Sequence, residues 1–176
     1  MRLTVRPRPG LPLIWLKSPS SRTVIFSAMY KHILLPIDGS ALALRGAKSG
    51  IRLAKALGAR VSAVYVMAPY VPPMYGEAVL YAPAFSPTEY RKAAAKQAEK
   101  ALAAVQGEAR AAGVRCKTLS LTDPQPFKGI LRAARREKCD AVAMASHGRG
   151  GLGGLLLGSE TTRVLAHSKL PVVVTR

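Results

Sequence analysis

Acidic side chains are scarce in this sequence. Nine Asp and Glu stand against 27 Lys and Arg in 176 residues, a formal charge of +18. Cysteine is nearly absent. Cys116 and Cys139 are too few for a disulfide scaffold and lack zinc-ligand spacing, which points to reduced, structural thiols and a cytoplasmic protein. No run approaches the roughly 18 uncharged apolar residues of a membrane-spanning helix, so no membrane partner is expected. What is present is apolar: 49% of the chain, too much for wholesale disorder and enough for the core of one ordinary domain. Taken alone, the basic excess suggests a polyanionic partner.

The charge is unevenly placed. Residues 1–28 contain Arg2, Arg6, Arg8, Lys17 and Arg22, no acid, and the element-breaking Pro7, Pro9, Pro12 and Pro19. The apolar stretch Leu11–Leu16 is short, holds Pro12 and precedes no cleavage pattern, so it does not read as a secretory signal. A transit peptide is one reading of such a basic leader. The expectation is a disordered basic extension, with Met29 as the start of the native protein and residues 29–176 as the domain. Without the five leader cations, 22 basic side chains face 9 acidic ones, a net +13.

From Met29 onward, strand-like and helix-like segments alternate. His32–Ile37 is a short apolar run, as expected of a strand buried on both faces, and it ends at Asp38-Gly39-Ser40. Ala43, Ala47, Ile51, Ala54 and Leu57 follow at helical spacing, with Gly58 as a stop. Arg60–Val66 reads as a second strand. Met67–Phe85, with four prolines and three tyrosines, reads as a long loop, either a variable insertion or a lid. Ser86-Pro87-Thr88-Glu89 has the form of a capping box and starts a helix reaching Gly113. Val114–Leu121 reads as a third strand. Asp123-Pro124 is expected to open another helix, followed by a fourth strand over Asp140–Ser146. A glycine-rich loop, His147–Gly158, precedes a short helix and a last strand, Pro171–Thr175. Strands joined by helices predict a parallel sheet with right-handed crossovers and helices on both faces. Ligands in such sheets bind outside the strand carboxyl ends, where the strand order reverses.

The glycine-rich loop carries the strongest chemical signal. Glycines let backbone amides approach an anion, and a helix starting near Ser159 offers free amides and the positive end of its dipole. Ser159, Thr161 and Arg149 add donors. Gly148-x-Gly150-x-x-Gly153 matches a dinucleotide fingerprint, but it follows the fourth strand, and no acid occurs after Glu160. Gly153–Ser159 has P-loop spacing without the lysine. Ser146 resembles a nucleophile elbow, except that Met144 stands where the first glycine belongs.

The same loop resembles the nucleotide-binding, UspA-like universal stress proteins, whose pattern is G-x-x-G, nine residues, then G-[S/T]. Here the frame is Ala145-x-x-Gly148, nine residues, Gly158-Ser159, with alanine at the first glycine. "YKHILLPIDGS" from Tyr30, "MASHGRGGLGGLLLGSET" from Met144 and "VLAHSKLPVVVTR" from Val164 extend the resemblance over nearly all of Met29–Arg176. It implies a Rossmann-like open five-stranded parallel sheet of order 3-2-1-4-5. It also implies ATP as ligand, with Mg, and a homodimer formed through the C-terminal strand. Transferred position by position, Pro36 and Asp38 end strand one, with Asp38 facing ribose and phosphate, and Val66 lines the adenine. Ala145, Ser146, His147, Gly148, Arg149, Gly150 and Gly151 surround ribose and phosphates, and Gly158, Ser159, Glu160 and Thr161 close over the phosphates.

No base–nucleophile pair is evident, so the expected role is binding and signalling in a stress response, with slow hydrolysis or autophosphorylation at most. Two alternatives stand beside it: a dimeric stress protein that binds no nucleotide, and a basic nucleic-acid binder. The second is disfavoured because the cations are spread over several helices, with only Arg132–Lys138 dense and few aromatics available for base stacking.

Overall fold

The computed structural model describes residues 30–72, 86–146 and 157–175. Among the described residues five strands and four helices alternate: β1 (His32–Ile37), α1 (Ala41–Leu57), β2 (Arg60–Met67), α2 (Pro87–Ala111), β3 (Cys116–Thr122), α3 (Pro126–Arg136), β4 (Ala141–Ala145), α4 (Ser159–His167) and β5 (Val172–Thr175). All strand pairs are parallel and the sheet order is β3-β2-β1-β4-β5, the expected Rossmann-like arrangement. The expected leader, residues 1–28, lies outside the described residues, as does most of the proline-rich segment, 73–85.

Apolar side chains leave the sheet alternately to two cores. Ile33, Leu35, Val61, Ala63 and Ala143 meet α1 and α2 on one face. Leu34, Val64, Val142 and Met144 meet α3 and α4 on the other, where Phe127, Ile130 and Val164 complete the cluster. Burial on both sides is why the central strands read as continuous apolar runs. The buried stripe of α1 is mostly small, with Ala43, Gly46, Ala47, Gly50 and Ala54 beside Ile51 and Leu57. A Cβ on Gly46 would stand 2.8 Å from the Ala145 nitrogen, so α1 lies almost in backbone contact with the end of β4.

Helix ends follow local chemistry where local chemistry is available. Ser40 caps α1 by accepting from Ala43 N–H at 3.1 Å, and Gly58 ends it at φ 67°. Ser86 and Glu89 form the reciprocal capping box of α2, at 3.1 and 2.9 Å.

Most boundaries fall within two residues of expectation, and three of the differences have a clear local cause. Val114 closes the turn that follows α2, its N–H bonded to Ala109 O at 2.8 Å, so β3 starts at Cys116. α3 starts at Pro126, because the Asp123 carboxylate turns back onto the Gln125 N–H at 2.9 Å instead of capping a helix. β4 begins one residue late, at Ala141, since the Asp140 carboxylate accepts the main-chain N–H groups of Lys31 and His32 at 2.8 and 3.0 Å.

Candidate functional site at the strand carboxyl ends

Strand order reverses at β1, whose neighbours are β2 on one side and β4 on the other. The two sides are held unequally. β1 pairs with β2 over His32–Ile37, but with β4 only at Ile33↔Ala141 and Leu34↔Val142.

Pro36 explains the difference. Lys31 O accepts from Arg60 on the β2 side, and His32 O accepts from Asp140 on the β4 side. Alternation then points the even-numbered backbone groups of β1 at β4. Pro36 has no N–H to donate there. The ladder to β4 stops, and the carboxyl ends of β1 and β4 are free to part at the position where α/β sheets bind ligands.

The described residues that the sequence pointed to lie at or just beyond the carboxyl ends of β1, β2 and β4 and at the start of α4. Asp38 follows β1, half-buried, and its Oδ1 accepts from Ser40 N–H at 2.9 Å across Gly39, which has φ 87°. Val66 sits near the end of β2, half-buried against α3, where a Cβ on Gly129 would come within 2.8 Å of its Cγ1. Ala145 and Ser146 are buried at the end of β4. Among the described residues Lys138 is the one non-glycine at positive φ, so Ala145 occupies strand backbone that alanine adopts without strain. His147, Gly148, Arg149, Gly150 and Gly151 lie outside the described residues.

α4 is fastened directly onto this edge. Gly158 N–H donates to Ser146 O at 2.8 Å, and the buried Thr161 hydroxyl donates to Ala145 O at 3.0 Å. The residue before the helix is Gly158, which has no side chain to cap with. The first-turn N–H groups of α4, with the exposed Ser159 hydroxyl among them, form an anion-receptive end beside the seam.

Two of the expected site residues also tie the fold together. Thr161 spends its hydroxyl on β4. Glu160 accepts from Phe127 N–H of α3 at 2.8 Å and pairs with Arg163 at 3.1 Å. A residue missed in the sequence is Gly46, which sets the distance between α1 and Ala145. Its signal was a small residue recurring at helical spacing beside Ala43 and Gly50.

Both thiols are held toward the protonated form. Burial, with the Glu137 and Asp140 carboxylates nearby, pushes Cys139 up to about 12, and burial raises Cys116. Among the described residues no three His, Cys, Asp or Glu side chains converge as a metal site, and no helix is long and apolar enough to cross a membrane.

The sequence relationships agree with this geometry. Residues 29–176 match the model of the universal stress protein family. A universal stress protein of Thermus aquaticus is 38% identical over 149 residues, 84% of this chain and 100% of that protein. One from Methanocaldococcus jannaschii is 34% identical, covering 84% of this chain and 83% of that protein. The UspA structure of Lactobacillus plantarum superposes with a TM-score of 0.70 at 22% identity, covering 85% of this chain and 99% of that one. Two further universal stress protein structures share the fold. One is in complex with cAMP (TM-score 0.63, 22% identity, 85% and 99% covered). The other, from Archaeoglobus fulgidus, is in complex with dAMP (TM-score 0.56, 17% identity, 84% and 99% covered). The chain belongs to the universal stress protein family.

Proposed function

We propose that this chain is an adenine-nucleotide-binding universal stress protein, with ATP as its ligand and Mg as the accompanying ion, acting in the cytoplasm by binding and signalling rather than by turnover. The observation that carries this reading is the seam itself. The ladder between β1 and β4 ends at Pro36, and the side-chain-uncapped start of α4 is pinned beside it through Gly158 and Thr161. The amides of α4 and the Ser159 hydroxyl would hold phosphates, Asp38 would face the ribose, and Val66 would line the base. The cAMP and dAMP complexes of fold relatives support adenine nucleotides as the ligand class.

The first test is calorimetric titration of the purified protein with Mg-ATP, joined to mass spectrometry of any nucleotide released on denaturation. Saturable heat supports the reading, and none at millimolar ligand overturns it. Binding that disappears in Asp38→Ala, with the fold retained, locates it at the seam.

We further propose a homodimer paired through β5. Val172, Val173 and Val174 form an apolar strand at one end of the sheet, and an apolar edge invites a second strand. Light scattering that gives a monomer at micromolar concentration would overturn this.

A further inference from the structure

We propose that the opposite, amino-terminal edge of the sheet carries a second anion site, built for the phosphate group of a small molecule. A cleft of about 370 Å³ opens there, lined by His32 of β1, Arg60 and Ser62 of β2, Arg115 and Lys117 at the start of β3, and Glu137 after α3.

Strand register brings these side chains together. Val61 pairs with Cys116 and Ser62 with Lys117, which sets Arg60 beside Arg115, and Val61 N–H donates to Arg115 O at 2.9 Å. His32 pairs with Arg60 across β1 and β2. By the two-residue alternation of strands, all five positions share the face that Val64 and Leu119 present to α3.

The charge of the cleft is unbalanced. Glu137 is its one acid, and it is held by Lys117 at 2.7 Å. Among the described residues neither the Arg60 nor the Arg115 guanidinium has a carboxylate within ion-pair distance. Like charges on paired strand positions repel, so two arginines on neighbouring positions of one cleft are an arrangement that an anion relieves.

The neighbouring acid offers no substitute, because the Asp140 carboxylate is taken by the Lys31 and His32 amides. The carbonyls ending α3 are also occupied: those of Ala133, Ala134 and Arg135 accept from Glu137, Cys139 and Lys138 N–H.

The donor set selects among anions. Guanidinium forks match the geometry of phosphate oxygens in bidentate fashion. The Ser62 hydroxyl lines the cleft beside them, 2.8 Å from His32 Nε2. Three cations less one acid leave +2 at the cleft, the complement of a phosphate dianion. β2 spans eight residues from this edge to the seam, about 25 Å at the usual rise, so one nucleotide triphosphate at the seam does not also fill the cleft.

The experiment is amide NMR of the full chain titrated with inorganic phosphate, with chloride exchanged to hold ionic strength constant. Saturable shifts at Arg60, Ser62, Arg115 and Lys117 are expected. Arg60→Gln and Arg115→Gln each weaken them by roughly tenfold, while any shifts at Gly158 and Ser159 stay unchanged. The spectra themselves report that each variant is folded.

The proposal is overturned if phosphate shifts only the Gly158 and Ser159 region, or if the shifts at the β2 and β3 starts survive both substitutions at unchanged affinity. It is also overturned if a short oligonucleotide moves the same amides at far lower concentration, which would make the cleft part of a nucleic-acid surface. Nucleotide binding at the seam is read by the other set of amides, so the two assignments fail separately.

Discussion

The Glu160 carboxylate, in the first turn of α4, accepts the Phe127 N–H in the first turn of α3 at 2.8 Å. α3 has no side-chain cap of its own, since Gln125 at its start makes none. A residue 33 positions away therefore satisfies one of its free donors and places a negative charge at its positive end. Glu160→Ala should lower unfolding free energy by about 1 to 2 kcal/mol, seen as a drop of several degrees in Tm by calorimetry. Unchanged stability with weakened ATP binding would instead make Glu160 a ligand contact.

Two helical glycines should respond with opposite sign. At Gly46 a methyl group would meet the Ala145 nitrogen at 2.8 Å and its Cα at 3.0 Å, both backbone atoms. Gly46→Ala should destabilise by about 1 to 3 kcal/mol, as overpacking does. At Gly107 in α2 nothing lies within 4 Å, so Gly107→Ala should stabilise by about 0.5 to 1 kcal/mol through helix propensity. Urea denaturation of the two variants checks both, and like signs would contradict the close approach of α1 to β4.

Lys138 occupies the left-handed region, at φ 53°, in the turn that ends α3, with its N–H on Arg135 O and the Cys139 N–H on Ala134 O. A non-glycine there carries a steric cost that glycine avoids. Lys138→Gly should raise stability by about 0.5 to 1 kcal/mol. A Tm that falls would show that the lysine side chain contributes more than its backbone costs.

His32 gives the fold a pH dependence of defined sign. Burial first, then the Arg60 charge, lowers its affinity for a proton below the ordinary value of 6.5, against the Asp140 and Glu137 carboxylates that favour protonation. Below pH 6.5 the unfolded chain takes up a proton that the folded chain refuses. Stability is therefore fully present above that pH and declines as pH falls toward the lowered folded value. Between pH 7 and 5, urea midpoints should fall more steeply for the native sequence than for His32→Gln, and parallel profiles would remove His32 as the cause.

Much of the architecture was legible because its determinants are local. The central strands are buried on both faces and so spell themselves as apolar runs. Ser86 and Glu89 cap α2 within one turn of each other, and Gly58 marks the end of α1 by its own conformation. The start of α3 was misread because its cap, Glu160, comes from another helix, while the nearer Asp123 is committed to the Gln125 N–H and to Arg132 at 3.0 Å.

The site was legible in part. Gly158 and Ser159 announce a helix start near a strand end. The side chains of Glu160 and Thr161 fasten α4 to α3 and β4, links between distant segments that no local pattern announces. Gly46 acts only through packing, and a glycine inside a helix has no local signature of the partner it approaches.

The halt in the β1–β4 ladder also has a mechanical meaning. The sheet is two leaves of unequal width, β3-β2-β1 and β4-β5, stitched at the seam by two registered pairs and then left open. A molecule seated across that opening would touch both leaves at once and act as a rivet. What it would change is the stiffness of the joint more than the shape of either leaf, and a partner reading how firmly the leaves are held could sense occupancy without any helix moving.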